Sequence, residues 1–299
     1  MYEGIAANRR NTFLLIAVII VVLMLLGYTL GLYWGLGEGG LWIAGIVALA
    51  WIGISYFNGA SILLSASGAR EIQKADHPQL FNVVEELTIA SGLPMPKIYI
   101  IEDSAPNAFA TGRDPEHAAV AITTGLLEKL DRAELQGVMA HELSHIQNRD
   151  ILYATLIGAL AGAIILISDV FLRSLRFGSG RSSRGGKNKG GGGAALVVLL
   201  GLILALLAPL IARLLQLSVS RQREYLADAS AAMMTRYPEG LASALEKIAR
   251  DPDRLEVASR ATQHLYIVNP FEKDQWSLDS LWSTHPPLEE RIKRLRALR

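Results

Sequence analysis

DRAELQGVMAHELSHIQNRDILYATLIGALAGAIILISDVFL, residues 131–172, carries two kinds of signal in one run. Asp131-Arg-Ala-Glu134 resembles a capping box, and the helix that it opens is expected to run through residue 148. On that helix stands His141-Glu-Leu-Ser-His145. Residues i and i+4 share one helical face, so both imidazoles can reach a single metal ion. Glu142 follows the first histidine and can reach a water on the metal's open side. Ile151 to Leu172 then forms an apolar block, interrupted only by Asp169.

Outward from this stretch, the chain divides into apolar blocks and soluble segments. Hydrophobic residues make up 51% of the 299 and charged residues only 19%, against about 25% charge in an ordinary soluble chain. Mean hydropathy is +0.29. No charge occurs between Arg10 and Glu38, or from Gly39 to Ala69. A spanning helix needs roughly 20 apolar residues, so both stretches are long enough. The first has a longer apolar core than a cleaved leader and no small-residue cleavage site before Leu41, so it reads as a retained anchor. The short Gly35–Gly40 linker makes the pair an antiparallel hairpin. The third block and a fourth, Ala194 to Ala212, form a second hairpin around the basic, glycine-rich loop 173–193.

That loop sets up a conflict. Arg9, Arg10, Arg70, Lys74, Arg149, Arg221 and Arg223 favour one cytoplasmic side. Four full spans then place six basic residues of the loop outside. Either the charge rule is outvoted, or the second hairpin enters the membrane without crossing it. The loop itself reads as a solvated linker or as a contact to anionic lipid.

Four parts follow: a transmembrane hairpin (1–68), a first catalytic part (69–150), a second membrane hairpin (151–213) and a second catalytic part (214–299). The expected fold is a mainly α membrane protein with four apolar helices and an α+β catalytic domain carrying a small β-sheet. Within it, residues 77–91 read as a helix, and 97–101, 107–111 and 118–123 as short strands. A net charge of +1 gives no global field for nucleic acid, and none is expected as a partner. With no cysteine, disulfides, thiolate ligands and a cysteine nucleophile are excluded.

Two neutral imidazoles suit Zn²⁺, and a catalytic zinc takes a third protein ligand. Arg221-Gln-Arg-Glu-Tyr-Leu-Ala-Asp228 offers one. Glu224 and Asp228 are i and i+4 on a helix continuing from the fourth block. Glu224 is the candidate ligand, and Asp228 the acceptor for a liganding histidine's free N–H. Tyr225 points to another face and reads as core. Zinc with only three good ligands argues against a non-catalytic, zinc-stabilised membrane scaffold, since structural sites are closed by four. Acids at helix ends, not mid-span, argue against a transporter.

HELSH at 141–145, REYLAD at 223–228, PNAFATG at 106–112 and HPPLEER at 285–291, with the order of apolar and soluble parts, resemble the HtpX-type membrane metalloproteases. These are relatives of the CAAX prenyl endoproteases. The resemblance covers nearly the whole chain. It implies a zincin-like gluzincin, with one Zn²⁺ on His141, His145 and Glu224 and with Glu142 as catalytic base. It also implies an inner-membrane, multi-pass endopeptidase for misfolded or damaged membrane proteins, its site facing the cytoplasm. A prenyl-protein endoprotease is the alternative enzyme.

Two further motifs are weighed on the residues. In PNAFATG, Asn107, Ala108, Phe109 and Ala110 form either an edge that binds substrate backbone or a turn cap and a core strand. His285 either stabilises an oxyanion or bonds Glu224 or Asp228, or it merely precedes the last helix. Arg291 is the candidate partner of a supporting acid. Spacing alone sets the site's depth. Ile151 lies six residues past His145, about 9 Å along a helix, and Glu224 seven past Leu217, about 10 Å. Both halves of the site thus lie near the membrane surface, and the expected substrates are membrane proteins or unfolded polypeptides.

Overall fold

The computed structural model describes residues 35–157, 221–253 and 286–298, with Leu255, residues 265–267 and helical positions between 14 and 32. His285, the basic loop 173–193, the fourth apolar block and most of the third lie outside the described residues. Among the described residues the protein is mostly helical, with one small mixed sheet.

Helix α1, Gly39–Ala66, is the one described helix long and apolar enough to cross a membrane. Its Trp42, Ile46 and Phe57 stay about two-thirds exposed and form an apolar outer face. Its inner face is built from small residues. A β-carbon on Gly31 or Gly40 would come within 2.6 Å of the other's backbone, and one on Gly27 would strike Ala44. Small residues of this kind let membrane helices approach backbone to backbone, so the first hairpin closes as the glycine linker implies. Lower down, Gly59 meets Thr155, so α1 touches the start of the third apolar block, helical over 150–157.

The soluble part opens with strand β1 (Arg70–Glu71) and helix α2 (Pro78–Ser91), followed by β2 (Lys97–Ile101), β3 (Ala108–Gly112) and β4 (Ala118–Thr123). The sheet order is β1-β2-β4-β3, with β2 parallel to β4 and the other pairs antiparallel. Both faces of the sheet are covered, so β3 and β4 are buried at every position. Ala108, Ala110, Val120 and Ile122 join the main core under the helices. Phe109, Ala119 and Ala121 join a second core, with Leu63 and Leu64 at the foot of α1 and with Tyr266. This is the period-2 alternation of a strand, applied to a sheet with no wet face.

A short helix α3 (Thr124–Lys129) leads into α4 (Arg132–Gln147), and the described residues after 157 form α5 (Arg221–Thr235), α6 (Pro238–Arg250) and α7 (Leu288–Ala297). The α4 capping box forms as read: Glu134 N donates to Asp131 at 2.9 Å and Asp131 N to Glu134 at 2.8 Å. Helix α4 is the hub, packed on α2, α5, α6 and β3. Its crossing with α6 is a backbone contact. A side chain on Gly137 would meet Leu241 N at 2.5 Å, and one on Gly240 would meet Ala133 O at 2.6 Å. On α5, Ala227, Ala231 and Ala232 form the buried face and let Glu224 and Asp228 come close to α4.

Candidate active site

The i, i+4 spacing brings His141 and His145 together with their Nε2 atoms 3.2 Å apart. From α5, Glu224 presents Oε2 to His141 Nε2 at 3.7 Å and Oε1 to His145 Nε2 at 3.6 Å. One ligand atom from each of the three lies within 4.8 Å of the other two. Two imidazole lone pairs repel at 3.2 Å unless a proton or a cation lies between them. A tetrahedral metal with bonds near 2.1 Å sets its ligand atoms about 3.4 Å apart. The three side chains therefore form a group that fits a metal ion.

Each ring turns Nε2 inward because its Nδ1 is held elsewhere. His141 Nδ1 lies 3.0 Å from Asp228 Oδ1. Arg291, the largest fully buried side chain, clamps that carboxylate with Nε to Oδ2 at 2.9 Å and Nη2 to Oδ1 at 2.7 Å. Its Nη1 donates to Ile267 O at 3.2 Å and also lies 3.7 Å from Glu224. His145 Nδ1 lies 3.2 Å from Asp150 Oδ2.

The surroundings separate the titrations. Burial lowers His141 to about 4, with Arg291 adding to the effect against Asp228. Burial also opposes charge on His145, but Asp150, Glu224 and Glu142 overcome it and lift that ring to about 9. Burial pushes Glu142 up to about 7; His145 and the Ala110 N–H pull it down, and Glu224 pushes it further up. For Asp228, burial is outweighed by Arg291 and His141, which bring it down to about 2.

A cavity of about 30 Å³, room for a water or two, opens on the group between Ala110, Glu142, Asp150, Ile151, Arg223 and Ile267. Of the four PNAFATG residues weighed above, only Ala110 lines it. Phe109 points to the sheet's other face, where its ring meets Tyr266 edge-on at 5.2 Å in the second core. Asn107 caps its own turn, with Oδ1 accepting from Ala108 N at 3.0 Å. Ala108 gives its carbonyl to Ile267 N at 3.0 Å. At the strand's far end Thr155 Oγ1 accepts from Gly112 N at 3.1 Å and donates to its carbonyl at 3.2 Å.

Tyr225 is not core but half-buried, with the Arg294 guanidinium 3.8 Å over its ring. Asp150 is the site residue that the sequence reading passed over. In a continuous helix, i and i+5 point to different faces. The available signal was the lone acid between HELSH and the third apolar block.

A sequence model of peptidase family M48 matches residues 74–299. A protease HtpX homolog of Thermoanaerobacter pseudethanolicus is 47% identical over 298 residues, which is 100% of this chain and 98% of that protein. A protease HtpX homolog of Dictyoglomus thermophilum is 46% identical over 297 residues, 99% of this chain and 94% of that one. The crystal structure of S. mikatae Ste24p shares the fold, with a TM-score of 0.51 at 21% identity over 99% of this chain and 67% of its own. A buried two-histidine, one-glutamate group with a second glutamate between the histidines is what a metallopeptidase uses, and the matches agree: this chain belongs to peptidase family M48.

Proposed function

We propose that the protein is a membrane-anchored zinc endopeptidase that cleaves misfolded or damaged membrane proteins beside the cytoplasmic membrane face. The observation that carries this reading is the buried His141, His145 and Glu224 group on α4 and α5, with Glu142 at its cavity. Nitrogen and carboxylate donors in a three-ligand set suit zinc with one position left open. The apolar outer face of α1 and the four-block pattern of the chain support a multi-pass anchor. The basic residues at the block ends support a site on the cytoplasmic side.

His141 Nε2, His145 Nε2 and a Glu224 oxygen would hold the zinc, which when bound acidifies a water and polarises a carbonyl. Glu142 takes the proton of the attacking water and delivers it to the leaving amine. Burial and the neighbouring Glu224 make its carboxylate more basic than an exposed one, which is the direction that a general base needs. Asp228 and Arg291 keep the His141 ring in one tautomer and orientation. Ala110, the strand residue that reaches the cavity, is the candidate contact for substrate backbone.

The test is cleavage of an unfolded model polypeptide by purified, zinc-loaded protein in detergent. Glu142→Ala is expected to keep its zinc and lose at least about 10³-fold in turnover. Glu224→Ala is expected to lose zinc. Equal cleavage by wild type and Glu142→Ala would overturn the assignment. The membrane restriction is tested separately in cells: a detached soluble substrate cut as well as its membrane-tethered version removes it.

A further inference from the structure

We propose that Asp150 is a positioning residue that fixes His145 as a metal ligand, and that the single-residue break in the helix at Arg149 exists to bring it there. The proposal rests on the metallopeptidase reading of the same site.

Helix α4 ends at Gln147, and Asn148 caps it with ordinary right-handed geometry. Arg149 then takes φ = 58°, a left-handed conformation that non-glycine residues rarely adopt. Helix resumes at once with Asp150. Had α4 run straight through, Asp150 would lie about 140° around the axis from His145, because five residues at 100° each leave that offset. The two side chains would then point away from each other. With the one-residue reversal, Asp150 Oδ2 reaches His145 Nδ1 at 3.2 Å, and the carboxylate is buried with the site.

A ring bonded through Nδ1 to a carboxylate holds its proton there and offers the Nε2 lone pair inward. Nε2 of His145 is the atom that faces both His141 and Glu224. Histidine ligands backed by carboxylates gain basicity and lose ring freedom, and removing the backing group costs 10–100-fold in metal affinity. His141 has such support from Asp228; Asp150 gives His145 the equivalent from the opposite side. The supporting acid is also the first residue of the helical turns that enter the third apolar block. The same turns carry Tyr153 under the Arg223 guanidinium at 4.4 Å and Thr155 against Gly112 of β3. One ligand of the site is thereby tied to the base of a membrane segment.

The experiment uses the full chain in detergent, stripped of metal and titrated with Zn²⁺ against a competing chelator. Asp150→Ala is expected to bind zinc 10–100-fold more weakly than wild type. Asp150→Asn, which keeps the shape and an acceptor oxygen but loses the charge, is expected to fall between. Thermal unfolding of the metal-free proteins measures any folding cost of Asp150→Asn separately from its zinc affinity. With Co²⁺ in place of zinc, the visible absorption of Asp150→Asn should shift as the His145 bond changes. Wild-type zinc affinity and an unshifted cobalt spectrum in Asp150→Asn would overturn the proposal and leave the metallopeptidase reading standing. Absence of zinc binding by wild type itself would overturn both.

Discussion

His141 and His145 sit one turn apart on α4, yet they are held by different parts of the molecule. His141 is sealed, with a side chain 1% exposed, and its support comes from far along the chain: Asp228 on α5 and Arg291 on α7. His145 is 17% exposed, and its support is Asp150, five residues away across a reversed turn. One side contains a buried arginine that disfavours charge on the ring. On the other, burial opposes charge on the ring and the carboxylates of Asp150, Glu224 and Glu142 outweigh it. The two halves of a symmetric-looking motif are thus built by unlike means. The interior half depends on the assembled fold, and the outer half on a local turn.

The interior half should be the costlier one to break. Arg291 is wholly buried and neutralises Asp228 in a bidentate pair. Removing one partner of a buried ion pair leaves an uncompensated charge and costs about 3–5 kcal/mol. Arg291→Met is expected to lose that much stability in denaturant unfolding of the metal-free protein; a loss below about 1 kcal/mol would show that the pair is dispensable. The pH dependence follows from the sign of the Asp228 shift. Its folded pKa of about 2 lies below the ordinary 3.8, so the pair's contribution is complete above about pH 4 and disappears as pH falls towards 2. Wild type should lose stability across that window more steeply than Arg291→Met.

Neutralising the two supporting acids in turn separates the halves further. Asp228→Asn is expected to weaken zinc binding about 10–100-fold. It should also destabilise the metal-free protein, since Arg291 then has no full counter-charge at its closest partner. Asp150→Asn should change zinc affinity with a smaller loss of metal-free stability, because its partner His145 is 17% exposed where Arg291 is wholly buried. Chelator competition and unfolding, measured on the same two variants, separate the cases. Equal destabilisation by both would mean that the two halves are braced alike.

The same division governs what could be read from the sequence. HELSH, its capping box and the Glu224–Asp228 pair depend on helical spacing alone, and the structure has each on its helix. Strands β2, β3 and β4 were legible from β-branched and alanine-rich runs between turn residues. Their order was not, because parallel pairing of β2 with β4 is a property of the connection through β3. The sequence left Phe109 open between a substrate edge and a core strand, because nothing local reveals that the sheet has apolar cover on both faces. Arg291 was visible as a partner for some acid, but the choice of Asp228 needed α7 to be in place. Asp150 failed for the opposite reason. Its contact is local, but it depends on a positive φ at an arginine, which composition does not announce.

That arginine provides the mildest test of the outer half. At φ = 58° a β-carbon is crowded by the following carbonyl, at a cost of about 1 kcal/mol or more that glycine avoids. Glycine also gains freedom in the unfolded chain, which takes back about half of that. Arg149→Gly is therefore expected to stabilise the protein slightly, by about 0.5 kcal/mol net. Its zinc affinity should stay near that of wild type, because the turn that carries Asp150 to His145 is the one glycine adopts most readily. A stabilised Arg149→Gly with intact zinc binding would mean the reversal is a strained conformation maintained for the contact it delivers. A destabilised one would mean that the Arg149 side chain itself contributes at this position and that the turn has a second purpose.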